Sequence, residues 1–457
     1  MRKSNLLGGA LLLAALFVNT SCKEIFGNMD LSGDTTVSSY VAINTASKTA
    51  APAEEFTLSI TKIGDGTVTW SSSDPAIAEV QGAGLSAKVI TKKSGDATIT
   101  ANVAAAGNYQ AGSAKCAVAV RVKTGEQLVN EVANASTSEA TTIYLDGSAN
   151  IALTDHLDMK DKEIVIEGNN ATISTGKRFL ISKSFTLQNA KIDITENTNQ
   201  LIALDSLASG ATKKNVEVYT DAGTKGANLI DEITLKNVWV KNLHNSLIDA
   251  MNQAWALTTL NIENCIIQLD YNTTKTVIDF YRVKDNKGSI KNINVKNNTF
   301  INLQSAAGYF FRFKHASTAA AMFGTSNGTS TFDWNVSNNT FIRTMAAKDF
   351  GNNMVNNAKV TNTVSNNLFY DVYRVYQFLQ NNQTRTTVGN YIYYDAVAVQ
   401  GNDQSRTDNN GNPYTTKLTS APFTAPTAAI DLTKANGGLN LTPSGDAAAA
   451  GDPRWIK

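Results

Sequence analysis

The chain has 457 residues, and its 40 basic and 39 acidic side chains leave a formal net charge of +1. This balance excludes the basic footprint of a nucleic-acid-binding protein, and three cysteines are too few for a disulfide scaffold. Charged residues make up only 17% of the sequence. Asn, Thr and Ser supply the remaining polar surface, a mixture that favours β-structure over helix. We therefore expect an all-β chain of two or three domains.

The first 22 residues have the pattern of an export signal. Basic residues precede an apolar run from Leu6 to Val18, which is too short to span a bilayer. Small residues then lead into Cys22, and this stretch resembles a bacterial lipoprotein cleavage box. The resemblance implies that Cys22 is lipidated, that residues 23–37 are a tether, and that the protein is anchored at the outer membrane and exposed at the cell surface. The alternative is a secretory signal with an incidental cysteine.

Residues 38–122 predict a β-sandwich, because short strands alternate with turn residues. VTWSSSDPAIAEV (68–80) reads as two strands around a Ser-Asp-Pro turn, and AKVITKKSGDATITANV (87–103) repeats the pattern. Both stretches resemble bacterial immunoglobulin-like group 2 domains, a family that implies a spacer. Cys116 alternates with apolar residues on the last strand, so we expect it to be buried.

Residues 123–457 are organised by a repeated strand that breaks at an asparagine, as in INVKNNTF (293–300) and WNVSNNTF (334–341). Self-similarity with strand composition and no helical period predicts a parallel β-helix. An asparagine can take the left-handed conformation at each turn, and its amide can bond the next rung. We expect Asn297 and Asn338 to do both. The whole predicted ladder comprises Asn189, Asn237, Asn264, Asn297, Asn338, Asn366 and Asn390.

Distinct segments flank the repeat. TGEQLVNEVANA (124–135) has apolar residues at helical spacing and a cap at Thr124, which predicts an amphipathic helix. This helix and the following IVIEGNN (164–170) resemble the entry of pectate-lyase-like, right-handed β-helices, which implies that the helix covers the open end of the solenoid. Residues 400–417 predict a hydrophilic loop, and we expect Trp455 to cap the last rung.

The closing GDPRW (451–455) and the repeats resemble the C-terminal β-helix modules of Bacteroidetes surface lipoproteins. This resemblance covers about residues 123–457. It implies a polysaccharide partner and a neighbouring glycan transporter in the outer membrane. The leading hypothesis is therefore a surface lipoprotein that binds or presents polysaccharide for uptake and has no catalytic activity of its own. A structural or adhesive surface protein is a further alternative.

Each rung also has a second strand, in SLIDAM (246–251), TVIDFYR (276–282), YFFRFK (309–314) and RVYQFL (374–379). We align these strands so that one position faces inward and the next outward. The inward residues are then Ile248, Ile278, Phe311 and Tyr376. The outward residues are Asp249, Asp279, Arg312 and Gln377, and two places further on they are Met251, Tyr281, Lys314 and Leu379.

The outward acids suggest a divergent polysaccharide lyase as an alternative. Stacked rungs lie ~4.8 Å apart, so Asp249 and Asp279 are expected to be adjacent and could supply part of a Ca²⁺ site. Arg312 or Lys314 would then abstract a proton, as the resemblance to pectate lyases implies. The sequence lacks the WIDH and RxPxxR stretches of those enzymes. We therefore favour a salt-bridged ladder, in which Arg312 offsets the repulsion between the two acids.

A sugar-binding surface requires less than a lyase does, because aromatic faces and convergent polar groups are sufficient. Further tyrosines at 370, 391, 393 and 394 suggest an aromatic cluster near the C-terminus. The candidate carbohydrate-binding residues are Tyr281, Arg282, Lys284, Arg312, Lys314, Tyr373 and Arg374.

Overall fold

An immunoglobulin-like β-sandwich is followed by a right-handed parallel β-helix with a capping helix, which confirms the predicted fold class. The lipidation candidate Cys22, the rest of the predicted signal peptide and residues 23–35 of the tether lie outside the described residues. The computed structural model describes residues 36–196, 200–204, 229–251, 255–270, 275–281, 288–304, 308–313, 331–345, 347–356, 358–399, 403, 405–424 and 426–456.

The sandwich has two four-stranded sheets that share one core. Leu58 and Val89 of the first sheet belong to the same buried cluster as Ile99 and Cys116 of the second, so the predicted burial of Cys116 is confirmed. The strands of the first sheet, in spatial order, are Tyr40–Ile43, Glu55–Ile63, Ser86–Thr91 and Ala78–Gln81. Those of the second sheet are Ser47–Ala50, Gly112–Val120, Gly95–Val103 and Val68–Ser72.

The capping helix spans Gly125–Asn134 and confirms the sequence prediction. Thr124 and Gln127 form a capping box, in which each side chain accepts a hydrogen bond from the backbone N–H of the other residue. Leu128 and Val132 are buried in the core of the β-helix, so the helix covers the first rung. No helix within the described residues is both long and apolar enough to cross a membrane.

Three parallel sheets form the β-helix. The nine-stranded sheet contains Thr141–Tyr144, Ile164–Glu167, Phe185–Gln188, Leu229–Lys236, Trp255–Glu263, Gly288–Lys296, Phe332–Ser337, Val360–Ser365 and Thr384–Val388. The ten-stranded sheet contains Asn150–Leu153, Thr172–Thr175, Lys191–Ile194, Trp239–Leu243, Ile266–Leu269, Thr299–Asn302, Thr340–Ile342, Leu368–Tyr370, Tyr391–Tyr393 and Thr416–Lys417. The seven-stranded sheet contains Leu157–Met159, Phe179–Ile181, Ile202–Leu204, Ile248–Asp249, Ile278–Asp279, Phe311–Arg312 and Gly351–Asn352.

Asparagines in the left-handed conformation turn the chain from the nine-stranded into the ten-stranded sheet. We call these residues the corner ladder. Two pairs of these side chains bond along the solenoid: Asn338 Nδ2 donates to Asn297 Oδ1 (3.2 Å), and Asn237 Nδ2 donates to Asn189 Oδ1 (2.8 Å). The corner ladder comprises Asn189, Asn237, Asn264, Asn297, Asn338 and Asn366, with φ between 52° and 58°.

A second set of asparagines, one residue later, is buried. We call Asn298, Asn339, Asn367 and Asn390 the inner ladder; each is at most 3% exposed. Asn390 was predicted in the corner ladder, but Gly389 holds that position with φ 65°. Each inner-ladder Oδ1 accepts a hydrogen bond from the backbone N–H of the preceding rung, for example Asn298 N–H to Asn339 Oδ1 (3.0 Å). The buried side-chain amides therefore belong to the inner ladder and not to the corner ladder.

Residues 418–456, which we call the C-terminal segment, cover the outer face of the ten-stranded sheet. The segment includes three short 3-10 helices, Ala435–Gly438, Gly445–Ala447 and Pro453–Trp455. Trp455 packs in a cluster with Ile266 and Ile301, and its Nε1 donates to Thr299 Oγ1 (2.7 Å). Trp455 therefore lies on the side of the solenoid and does not cap the last rung as predicted.

Side chains from residues 403–417 instead cover the C-terminal end of the solenoid. Tyr414 is 1% exposed and belongs to the main core, and its hydroxyl donates to the Leu379 carbonyl (3.2 Å). Asp408 Oδ2 accepts a hydrogen bond from the Thr387 N–H (2.8 Å). The stretch predicted as a hydrophilic loop thus contributes part of the C-terminal cap.

Candidate functional site

The seven-stranded sheet brings Asp249, Asp279 and Arg312 together, and we call these residues the Asp–Arg stack. Asp249 is the register partner of Asp279, and Asp279 is the register partner of Arg312. The preceding residues Ile248, Ile278 and Phe311 are fully buried, as the predicted inward alignment requires. Asn352 follows Arg312 in this register. Gly351–Asn352 is thus the rung that the sequence pattern did not reveal.

Arg312 is held between a carboxylate and an aromatic ring. Its Nε donates to Asp279 Oδ1 (3.1 Å), its Nη2 donates to Asp279 Oδ2, and the guanidinium lies 4.8 Å from the centre of the Tyr281 ring. Asp279 Oδ1 also accepts a hydrogen bond from the Tyr281 N–H (3.0 Å). The three residues form one unit, because Asp279 accepts hydrogen bonds from both the Arg312 guanidinium and the Tyr281 backbone N–H.

The two acids of the stack are covered and do not form the open carboxylate row that the sequence suggested. Asp249 and Asp279 are each 4% exposed. Asp249 Oδ1 accepts a hydrogen bond from the Met251 N–H (2.7 Å), and its Oδ2 accepts one from Gln200 Nε2 (3.3 Å). The cavity beside the acids has a volume of only about 40 Å³.

This arrangement does not fit the Ca²⁺ ion that a lyase would require. A calcium ion takes six to eight oxygen ligands, roughly, and prefers free carboxylates. Both oxygens of Asp279 already accept hydrogen bonds, and the positive guanidinium of Arg312 lies against them. The described residues contain no group of three or more His, Cys, Asp or Glu side chains placed to hold a metal. The stack therefore corresponds to the salt-bridged interpretation of the sequence.

A second arginine cluster lies two rungs further along. Arg374 Nε donates to Asp349 Oδ1 (2.5 Å), its Nη2 donates to Asp349 Oδ2 (3.0 Å), and its guanidinium lies 4.7 Å from the Tyr373 ring and 5.1 Å from the Tyr376 ring. Burial lowers the pKa of Arg374, but the Asp349 carboxylate outweighs this effect and raises it above the usual value. The sequence did not identify Asp349, because the rung that contains it does not align with the repeat.

Residues 374–379 form a bridge and a turn, and this changes the predicted alignment. Tyr376 is half-buried and contacts arginines on both sides, since Arg406 lies 4.6 Å from its ring. Leu379 was predicted to face outward but is fully buried. Asp403 accepts hydrogen bonds from the Val375 N–H (2.7 Å) and the Tyr376 N–H (2.9 Å). The turn is therefore fixed by a buried acid.

Burial raises the pKa of Asp403 to about 6, against the two backbone N–H groups that favour its charged form. A carboxyl group with a raised pKa binds its proton more tightly in the folded chain. Its contribution to stability is therefore greatest below the ordinary carboxyl range and is lost as the pH rises through about 6.

The remaining candidates are distributed as follows. Arg282, Lys284 and Lys314 lie outside the described residues. The predicted tyrosine cluster divides between two faces. Tyr370 stacks on Phe423 (5.6 Å between ring centres) and contacts the tilted ring of Tyr393 (5.4 Å) beneath the C-terminal segment. Tyr373 instead belongs to the Arg374 cluster. The cluster divides because Leu368–Tyr370 ends the strand of the ten-stranded sheet and the chain then turns.

Comparison with known proteins adds no family to this description. No protein-family model, no curated protein and no solved structure matches the chain.

Proposed function

We propose that the protein is a surface lipoprotein that binds polysaccharide along its seven-stranded sheet and the adjoining turn at Arg374, and does not cleave it. The observation that carries this proposal is the pair of arginine–tyrosine stacks. Each guanidinium is held by a carboxylate on one side and by a tyrosine on the other, at 4.8 Å for Arg312 and 4.7 Å for Arg374. Their side chains remain 19% and 22% exposed, so a ligand can reach them.

Such stacks suit sugar binding for a physical reason. Tyrosine presents a large apolar face, and a fixed guanidinium presents planar hydrogen-bond donors, so sugar hydroxyls and ring C–H groups both find partners. Because the side chains are already ordered, little conformational entropy is lost on binding. The same contacts disfavour catalysis. The Asp279 carboxylate already accepts hydrogen bonds from the Arg312 guanidinium, which offers only donors and therefore cannot accept a proton from a substrate.

A glycan array with the protein lacking residues 1–22 tests this proposal. Tyr281→Ala and Tyr373→Ala are expected to weaken binding of at least one array glycan by roughly tenfold or more, because each substitution removes an aromatic anchor. Tyr40→Ala is the matched control, since Tyr40 is 56% exposed in the sandwich. Absence of binding by the unsubstituted protein would favour a structural or adhesive role.

Catalysis is tested separately, with acidic glycans, added Ca²⁺ and absorbance of unsaturated product. We expect no product. Product formation that disappears in Arg312→Ala would establish a lyase and overturn the proposal.

The proposed anchor is lipid attached to Cys22 at the outer membrane, beside a glycan transporter. Its support is the lipoprotein-like signal and the resemblance of residues 123–457 to Bacteroidetes surface lipoproteins. Cys22→Ala is expected to move the protein from the membrane fraction to the soluble fraction, because one thioether-linked anchor is lost. Fractionation and immunoblotting measure this change. Unaltered membrane association of the variant would contradict lipidation at Cys22.

A further inference from the structure

A second cleft, with a volume of about 740 Å³, lies at the corner between the nine- and ten-stranded sheets. One wall is the corner ladder, from Asn189 to Asn297, and the other wall is the C-terminal segment, with Lys434 and Arg454. Trp239 lines the cleft between these walls. The cleft shares no residue with the Asp–Arg stack or the Arg374 cluster, so it is a separate site.

The cleft exists because the C-terminal segment covers only part of the outer face. Trp239 is in register with Lys191 on one side and with Ile266 on the other. Ile266 is fully buried under the segment, whereas Trp239 is half-buried. Lys191 Nζ lies 5.4 Å from the Trp239 ring centre. A large aromatic side chain thus stands on the outer face where the cover ends.

The polar groups of the cleft are only partly satisfied by the protein itself. Among the residues that the structure describes, the side-chain amide of Asn264 has no hydrogen-bond partner, and Lys191 forms no ion pair. Arg454 instead pairs with Asp452 (3.1 Å) and donates to the Asn264 carbonyl (2.9 Å). Hence Asn264 and Lys191 are available to a ligand.

The charge of the lining favours an anion. Lys191, Lys434 and Arg454 line the cleft, and the acid that faces them there is Asp452. Asp452 is 1% exposed, and its Oδ2 accepts a hydrogen bond from Thr299 Oγ1 (2.8 Å). Lys434 has a weak, exposed partner outside the lining, Asp431 (3.4 Å). The accessible charge is therefore positive.

The spacing of the amides favours a chain-like ligand. Corner-ladder asparagines repeat once per rung, at ~4.8 Å along the solenoid axis. A pyranose unit in an extended polysaccharide advances by a similar length. Successive sugar units can therefore meet successive amides when the polysaccharide lies parallel to the axis.

We propose that this cleft binds an anionic saccharide chain, carboxylated or sulfated, parallel to the solenoid axis. Trp239 stacks on a sugar face, the Lys191 ammonium binds an acidic group, and the amides of Asn237 and Asn264 bind hydroxyls. The inference does not depend on the arginine–tyrosine site, because the two sites lie on different faces.

Calorimetric titration of the purified protein tests the site with three tetrasaccharides: tetragalacturonate, a sulfated heparin tetrasaccharide and uncharged cellotetraose. We expect at least one anionic tetrasaccharide to bind, and the two anionic arms show whether carboxylate or sulfate is preferred. Trp239→Ala and Lys191→Gln are each expected to weaken this binding by roughly tenfold or more. Because Lys191 is only half-buried, Lys191→Gln keeps the test valid even if Trp239→Ala fails to fold.

Tyr40→Ala is the matched aromatic control, because Tyr40 is 56% exposed in the sandwich and does not line the cleft. We expect this variant to bind the anionic tetrasaccharide with the affinity of the unsubstituted protein. Three results would overturn the inference: no binding of either anionic tetrasaccharide, equal affinity for cellotetraose, or unchanged affinity in Lys191→Gln.

Discussion

Replacing Asn339 with alanine is expected to lower the free energy of unfolding of the β-helix by about 3 kcal/mol or more. Asn339 is fully buried, and its Nδ2 donates to the Val295 carbonyl (2.8 Å) and to Asn367 Oδ1 (2.9 Å). Its Oδ1 accepts hydrogen bonds from Asn298. The substitution leaves several buried polar groups without partners, and each costs roughly 1–3 kcal/mol.

Asn338→Gly is the matched control, one residue earlier. Asn338 is half-buried, and within the part of the chain that the structure describes its side chain bonds Asn297 alone (3.2 Å). Its φ of 56° suits glycine, which holds the same position naturally at Gly389. We expect a loss of less than about 1 kcal/mol. The measurement is the urea midpoint of the β-helix transition. Equal losses for the two variants would mean that the inner ladder has no special role in stability.

The sequence predicted the β-helix because its turn chemistry recurs, but it did not show which asparagine is buried. Asn297-Asn298 and Asn338-Asn339 are identical pairs, so residue type cannot separate the two positions. The first asparagine turns the chain, and the second then points inward. A usable signal was present: in earlier rungs the second position holds Ala190, Val238 and Cys265, all apolar and buried.

The C-terminal cover was harder to predict, because its partner strands are remote in sequence. The strand Ile266–Leu269 is buried at every position, which is typical of a strand covered on both faces. That pattern shows that a cover exists but not which segment supplies it. The two walls of the cleft at Trp239 are likewise remote in sequence, since they are more than a hundred residues apart. Local sequence patterns therefore could not predict either the C-terminal cover or the cleft.

The Asp–Arg stack was predictable in position and not in environment. Strand parity placed Asp249, Asp279 and Arg312 in one register, and the structure has that register. Their burial depends on Gln200 and neighbouring side chains of the same cavity, which no periodicity reveals. The register alone allowed both a metal site and the salt-bridged ladder that we favoured from the sequence, and the packed residues form the ion pair between Asp279 and Arg312.

Trp455→Ala is expected to release the C-terminal segment from the ten-stranded sheet. Trp455 is 5% exposed, packs with Ile266 and Ile301, and donates through Nε1 to Thr299 Oγ1 (2.7 Å). Removing a buried tryptophan side chain costs about 3–5 kcal/mol. Because the C-terminal segment packs against the outer face of the ten-stranded sheet, we expect it to detach locally while the solenoid stays folded. Amide exchange in residues 426–456 should then accelerate by roughly a hundredfold or more.

Exchange in an inner rung distinguishes detachment from general unfolding. The strand Leu229–Lys236 lies between other strands of the nine-stranded sheet, so its exchange should stay unchanged in Trp455→Ala. Lys434→Ala is the control within the segment. Because the Lys434 side chain is 68% exposed, this substitution should leave amide exchange unchanged in both regions. Equal acceleration in both regions would mean that the segment and the solenoid unfold together. Unchanged exchange in residues 426–456 would mean that Trp455 does not hold the segment in place.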